Sequence, residues 1–364
     1  MGFAERMDRI IASPGFRRFA AGFPGLRWVA RRRSKHLFDL MAGFVYSQTL
    51  LACARYELPD RLLERPRTRD ELAEITGLPA DRLDRLIKAA RALDIVRVRS
   101  RDRIGLGQVG RDLAQNAAAL SMIEHHVAFY ADMRDPMALL SGAAEDRAVR
   151  ASWPYLTQKH AIAGDAAADY SLLMSRSQEG LAEEILDDYN VAGRRHIVDV
   201  GGGNGNFLSV VARRADSTTH LTLFDLPPVA DGARSRLEKL GLGGRIETVG
   251  GDFLETPLPE GADLVTLIRV LFDHPDGTVR PLLAAVRRAL ASDGALLIAE
   301  PISETPGGER IADTYFGFYL MAMGDGRTRT EAEHRALLRE AGFTRVRFPG
   351  ARMPHMARLI EARP

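Results

Sequence analysis

The chain has 364 residues, 46% of them hydrophobic, and a formal net charge of +2. This is an ordinary globular composition, long enough for two domains with a sizeable core. The single cysteine, Cys53, excludes an intramolecular disulfide framework and a thiolate metal cluster, and fits a reducing cytoplasm.

In the first 36 residues, nine basic side chains (Arg6, Arg9, Arg17, Arg18, Arg27, Arg31, Arg32, Arg33 and Lys35) face only Glu5 and Asp8, interleaved with Phe16, Phe19, Phe23, Leu26 and Trp28. Such a segment suits an anionic membrane surface or a solvated arm packed on a partner subunit. Gly15, Gly22, Pro24 and Gly25 should interrupt any long amphipathic helix, which favours the arm. From Lys35 to Arg55 the pattern is apolar nearly all round, as expected of a helix buried on several sides or shared between subunits. Cys53 lies in this run and reads as buried. No stretch reaches about eighteen uninterrupted apolar residues, and the N-terminus is charged where a signal peptide is apolar, so the expectation is a soluble or peripheral protein.

Residues 67–98 read as two short amphipathic helices split at Gly77–Pro79, then a strand-like IVRVR and a turn from Arg101 to Gly107, a winged-helix pattern. The second helix mixes Asp81 and Asp84 with Arg82, Arg85, Lys88 and Arg91, so it is no one-sign phosphate-binding face and nucleic acid is not expected as a partner. Leu113 to Tyr189 reads as a helical layer over a cleft; the adjacent His125 and His126 point about 100° apart on a helix and cannot chelate one ion, so a surface or pocket-wall role is expected. From Ala192, strand-like HIVDV, HLTLFDL, RIETVGG, ADLVTLIRVL and ALLIAEP alternate with helical stretches. That alternation predicts a doubly wound, mostly parallel α/β sheet of Rossmann-like type. Helices near Arg310–Met323 and Glu331–Ala341 and two late strands, FTRVRF and MARLIEA, complete it.

The stretch HIVDVGGGNG, His196 to Gly205, carries the chemistry. A β-branched strand ends at Asp199 and Val200, and Gly201, Gly202, Gly203 and Gly205 precede a helix, so backbone N–H groups and a helix start approach a ligand with no Cβ in the way. There is no third glycine in dinucleotide register and no Walker GK[ST] ending. Two further acidic strand ends follow, Asp225 in HLTLFDLP and Asp252 in VGGDF. Three carboxylates in series suit an ammonium, a ribose diol and an adenine amino group, which together describe S-adenosylmethionine.

DVGGGNG, LFDLPPV, GGDFLETPLPEGADLVTLIRVL and LLREAGF resemble the plant-type, two-domain class I O-methyltransferases that use S-adenosylmethionine, from about Leu37 to the end. More narrowly, FVYSQTLLAC, RVLFDHPD and DTYFGFYLMAMGDGRTRT resemble the bacterial hydroxyneurosporene (demethylspheroidene) O-methyltransferases of carotenoid synthesis. The resemblance implies that the winged-helix module pairs two chains into a homodimer. It also places Leu226, Phe253, Arg269, Met174 and Ser177 with Asp199, Gly201, Gly202, Gly203, Asp225 and Asp252 at the methyl donor, although a Met on an apolar helix also reads as core.

Methyl transfer is a displacement at a sulfonium carbon, so the site must align the acceptor oxygen, exclude water and usually take the hydroxyl proton. In the family that proton goes to a histidine in a His-Asp-Trp run after the fourth strand; here Phe272, Asp273 and His274 stand there. A phenyl ring cannot accept a proton. Either His274 acts from two positions along, with Asp273 orienting its ring or capping the next helix, or orientation and desolvation suffice. Glu300 matches the family glutamate that orients the histidine, and Thr328 or a neighbour replaces the second. No His/Asp cluster has metal-ligand spacing. Phe316, Tyr319, Leu320 and Met323 share a helix face and, with Phe272, suit a lipophilic acceptor; an ordinary core helix reads the same way.

The expected organisation is a basic arm with a winged-helix-like dimerisation domain over residues 1–112, a helical layer over 113–190 and a methyl-donor domain over 191–364. The expected activity is O-methylation of a hydroxylated acyclic carotenoid. Alternatives are a tetrapyrrole or polyketide phenol as acceptor, or a non-catalytic donor-binding regulator. The expected location is cytoplasmic, with the arm a candidate contact to the inner, photosynthetic membrane.

Overall fold

The computed structural model describes residues 2–151, 180–354 and 356–364, and the chain divides into two compact units, Met1–Asn116 and Ala117–Pro364. In the first unit the basic segment is helical, and the helix is interrupted between Gly22 and Pro24 as expected: Phe3–Ala12, Pro14–Gly22 and Pro24–Arg55 follow one another. The breaks fall at Ser13 and Phe23, each followed by a proline at the first helical position, where its missing N–H costs nothing. Gly22 closes the second helix, whereas Gly25 is absorbed into the first turn of the third, so the expected interruption there does not occur.

The 32-residue third helix is about 48 Å long at 1.5 Å per residue. Only Leu51 and Cys53 on it are buried, while Leu37, Phe38, Leu40, Met41 and Phe44 are each more than 60% exposed within the chain. By length and composition this helix is apolar enough to cross a membrane, although it holds no run of eighteen uninterrupted apolar residues. The run is interrupted at Asp39, which is paired with Lys35 at 2.7 Å and accepts from the Tyr46 hydroxyl at 3.2 Å.

The helices Leu58–Glu64, Arg69–Thr76 and Ala80–Ala92 and the antiparallel pair β1 (Val96–Val98) and β2 (Ile104–Leu106) complete this unit. Thr68 and Glu71 form a capping box at the start of Arg69–Thr76, and Gly77, at φ 66°, ends it. The turn expected over Arg101–Gly107 is shorter, because Ile104 and Leu106 are apolar and buried and recruit the chain into β2. Cys53 lies in the core with Leu58, Leu72, Leu83 and Ile87, and burial pushes its thiol up to about 12, which removes it from nucleophilic chemistry.

The second unit holds a seven-stranded sheet in the order β5-β4-β3-β6-β7-β9-β8, with β3 His196–Val200, β4 His220–Asp225, β5 Ile246–Gly250, β6 Ala262–Ile268, β7 Leu290–Glu300, β8 Arg345–Arg347 and β9 Arg358–Arg363. The first five are parallel; β9 runs antiparallel between β7 and β8. Side chains alternate across the sheet, so Val198 and Val200 pack with Val265, Val279 and Val286 while Ile197 packs with Leu221, Leu208 and Leu237 on the other face. The chain winds outward from β3 in both directions, and the crevice at the carboxyl ends of β3 and β6 is the switch point where such sheets bind ligands.

Candidate active site

At the end of β3 the backbone turns through Gly201 (φ 70°), Gly203 (φ 56°) and Gly205 (φ 78°) into the helix Asn206–Arg214. A Cβ on Gly201 would stand 2.8 Å from Val270 Cγ2, so the turn needs glycine for space as well as conformation. Asp199 lies beneath it, with Oδ1 accepting from Thr266 Oγ1 at 2.6 Å and Oδ2 buried without a partner. Burial, reinforced by Asp225, pushes the Asp199 carboxyl up to about 7. The Asn206 Nδ2 is also buried without a partner.

Asp225 closes β4. Its Oδ2 accepts the Gly203 N–H at 2.8 Å and its Oδ1 the Leu226 N–H at 2.7 Å, ties that oppose the burial holding its carboxyl at about 6. Gly251 N–H donates to the Asp225 carbonyl at 2.8 Å, which sets Asp252 just beyond the end of β5. Asp252 Oδ1 accepts from Leu254 N–H at 2.9 Å. Three adjacent parallel strands thus end in carboxylates, as the spacing implied.

The loop after β6 carries the departures from the family pattern. Arg269, at φ 58°, is held by its N–H to the Ala299 carbonyl at 2.8 Å, and its guanidinium lies over Phe272 at 5.4 Å and Phe316 at 5.1 Å. A non-glycine residue in this region costs about 1–3 kcal/mol, which the two cation–π contacts offset in part. Phe272 is 4% exposed, and its N–H donates to Glu300 Oε2 at 3.1 Å. Glu300 Oε1 stands 3.2 Å from Nε2 of the buried His334, off hydrogen-bond alignment. Glu300, matched by the resemblance to the glutamate that orients the family histidine, here holds the backbone of Phe272 in that histidine's place.

His274 packs edge-on against Phe253 at 5.5 Å, and burial, aided by Arg329, lowers its pKa, so the imidazole is neutral at pH 7. Asp273 makes no hydrogen bond to that ring, and Pro275, not Asp273, caps the helix Asp276–Ala289. Burial raises the Asp273 carboxyl well above the usual range, against the pull of Arg269. Sequence reasoning missed what holds this loop. Arg329 is fully buried and donates to the carbonyls of Leu271 (2.9 Å) and His274 (2.7 Å) and to Asp276 Oδ1 (2.8 Å). A Cβ on Gly326 would meet the Phe272 carbonyl oxygen at 2.5 Å. Thr328, in the place of the second glutamate, donates to the Ala312 carbonyl at 3.4 Å.

Phe316, Tyr319, Leu320 and Met323 are buried in one cluster with Phe272, Leu139 and Val149. A π-helical segment, Arg310–Phe316, leads into the α-helix Gly317–Met323 and shifts Tyr315 and Tyr319 into a stacked pair at 5.8 Å. His125 Nε2 meets Tyr319 Oη at 2.7 Å and His126 Nε2 meets Tyr315 Oη at 2.7 Å; burial pushes His126 down to about 4. His125 is buried, so a surface role for it is excluded. Met174 and Ser177 lie outside the described residues. Among the described residues no group of His, Cys, Asp and Glu side chains could hold a metal.

A doubly wound sheet with a glycine turn and three acidic strand ends, preceded by a separate helical unit, defines a class I methyltransferase. The family model of the O-methyltransferase domain matches residues 149–344, and that of the O-methyltransferase dimerisation domain matches residues 38–115. The chain belongs to this O-methyltransferase family, whose methyl donor is S-adenosylmethionine. It is 39% identical to a demethylspheroidene O-methyltransferase of Cereibacter sphaeroides, across 100% of this chain and 95% of the other. The same identity holds to that of Rhodobacter capsulatus, across 99% and 90%. A solved structure of the calicheamicin-biosynthesis methyltransferase CalO1, in its SAH-bound form, matches with a TM-score of 0.72 at 25% identity, covering 92% of this chain and 98% of that one. These similarities do not favour a regulator or a tetrapyrrole or polyketide acceptor. The cradle's own chemistry fits the donor: unpartnered buried acceptor and donor atoms on Asp199 and Asn206, open space beside the positive-φ Gly203, and carboxylates for cationic and hydroxyl groups.

Proposed function

We propose that this chain methylates the hydroxyl of a hydroxylated acyclic carotenoid of the demethylspheroidene or hydroxyneurosporene type. The observation that carries the reading is Phe272: a buried phenyl ring, fixed by Glu300, stands where the family has a polar base and continues the apolar surface of Phe316, Tyr319, Leu320 and Met323. A long hydrocarbon acceptor gains from such a wall, whereas a polar acceptor would leave its groups unpaired.

When bound, S-adenosylmethionine supplies a methyl group on a positively charged sulfur. We assign Gly201, Gly202, Gly203, Asp199, Asp225, Leu226, Asp252, Phe253 and Arg269, with Met174 and Ser177, to holding that donor. The apolar wall positions the acceptor and excludes water. During transfer of that methyl group to the acceptor oxygen, the neutral imidazole of His274 would take the hydroxyl proton. A tertiary alcohol is too weak an acid to lose its proton beforehand, so the imidazole acts only as charge develops on oxygen. Asp273 and Glu300 contribute through the loop backbone and its field. The working enzyme is a cytoplasmic homodimer, paired through the unit that carries the exposed apolar helix, and touches the membrane in which such an acceptor dissolves.

Incubation with labelled S-adenosylmethionine and a pigment extract, followed by chromatography, tests this. Label in a carotenoid ether is expected; label confined to phenols or tetrapyrroles would refute the acceptor assignment.

A further inference from the structure

We infer that the first two helices and the opening turns of the third, up to about Lys35, form an interfacial docking surface for an anionic lipid bilayer, an inference that rests on the proposed carotenoid acceptor for its purpose but not for its geometry. On Phe3–Ala12, Phe3, Met7, Ile10 and Ile11 fall within a 100° arc at helical spacing, with Arg6 at its edge. Phe3 is 82% exposed, and Met7 and Ile10 are exposed beside it. On Pro14–Gly22 and its C-cap the rings of Phe16, Phe19 and Phe23 follow one another at 6.3 and 5.5 Å, and Arg17 and Arg18 are exposed on the same helix. Trp28 is 64% exposed at the start of the third helix, ahead of Arg31, Arg32 and Arg33.

The charge identifies the occupant. The first 36 residues have nine basic and two acidic residues, so the remaining chain has 41 basic against 46 acidic, and the positive charge is segregated into the segment that also exposes the aromatics. Arginine beside Phe, Ile and Trp on short helices is the pattern of a helix lying in the headgroup layer, its apolar side sunk towards the acyl chains. A second copy of the chain is the less suitable occupant: the dimerisation match begins at residue 38, within the third helix but beyond the basic segment that ends at Lys35, and two arms of like charge would repel. Nucleic acid would take the arginines but leave Phe3, Met7 and Ile10 in water.

The test uses the full-length protein and sedimentable vesicles of phosphatidylcholine, alone or with roughly one third phosphatidylglycerol, without donor or acceptor. Binding should be at least about tenfold tighter to the anionic vesicles and should weaken as salt shortens the screening length. The triple variant Arg17→Glu, Arg18→Glu, Arg31→Glu should lose about tenfold or more of this binding. Phe3→Ser with Ile10→Ser should weaken it with the charge intact. Both variants should keep the dimer in light scattering and their activity on detergent-dispersed acceptor, which separates failure of docking from failure of the acceptor assignment. Equal or absent binding to the two vesicle types would overturn the inference. So would charge-reversed protein that binds as before, arm variants that fall to monomers, or duplex DNA that binds the arm and is not displaced by anionic vesicles.

Discussion

The side-chain carboxylate of Glu300 accepts the backbone N–H of Phe272 at 3.1 Å, and both residues are buried. The acid at the end of β7 is thereby committed to the main chain of the loop and, through Oε1, to the vicinity of His334, leaving nothing to orient a polar ring at position 272. Phe272→His should therefore impair the enzyme: an imidazole among Phe316, Tyr319 and Leu320 loses an apolar contact and buries a polar group without a partner, a cost of about 1–3 kcal/mol. Steady-state kinetics should show kcat/KM for the apolar acceptor reduced about 5- to 150-fold. A variant as active as the parent would show that this wall does not select the acceptor.

His274→Ala tests the proton acceptor. Turnover should drop about 10²- to 10⁴-fold with donor affinity nearly unchanged. Because burial lowers the His274 pKa, the neutral form persists below pH 6.5, and single-turnover rates should fall only as the pH drops through that lowered value. Full activity in the variant would leave orientation and desolvation as the mechanism.

Arg329 holds the loop from the other side. Its guanidinium is fully buried and is the donor to the Leu271 and His274 carbonyls and to Asp276. Arg329→Met strands those acceptors and should destabilise the second unit by about 3–5 kcal/mol, read as a lower midpoint in denaturant. A midpoint within error of the parent would remove Arg329 from the account.

Asp225 links donor binding to pH. Burial raises its carboxyl to about 6 in the free protein, and a hydrogen-bond donor from the ligand favours the ionised form. Donor affinity should therefore be full above pH 7 and weaken as the pH falls through 6, with proton release on binding near pH 6. Calorimetry in buffers of different ionisation enthalpy measures that release. Asp225→Ala should weaken binding by about 1–3 kcal/mol; unchanged affinity and no proton release would contradict the assignment.

How far the sequence could be read divides along physical lines. Asp199, Asp225, Asp252 and the glycines were legible because strand period and turn chemistry are local, and the parallel registers of β3, β4 and β5 then place them side by side. Arg329 and His334 were not legible. Arg329 lies just before the helix Glu331–Glu340 and His334 within it, and they are buried only by tertiary packing, Arg329 against the loop after β6 and His334 beside Glu300 of β7. The first helices were misjudged at Gly25 because a glycine in a first helical turn costs little when a proline precedes it. The apolar helix Pro24–Arg55 was legible as a helix in need of a partner, but not which of its residues stay exposed: Leu51 is consumed inside its own unit, while Leu40 and Phe44 are not.

That division gives the dimer its test. Leu40→Asp with Phe44→Asp should yield folded monomers in light scattering, since both side chains are more than 60% exposed within the chain. A variant that remains dimeric would move the interface elsewhere.

The central claim, methyl transfer to the hydroxyl of an apolar acceptor, is tested most directly by supplying purified protein with S-adenosylmethionine carrying a trideuteriomethyl group and a hydroxylated acyclic carotenoid, then locating the label by mass spectrometry. The account predicts one labelled methyl ether at the hydroxyl oxygen. Unlabelled carotenoid from protein that binds the donor normally, or label on carbon, would contradict it.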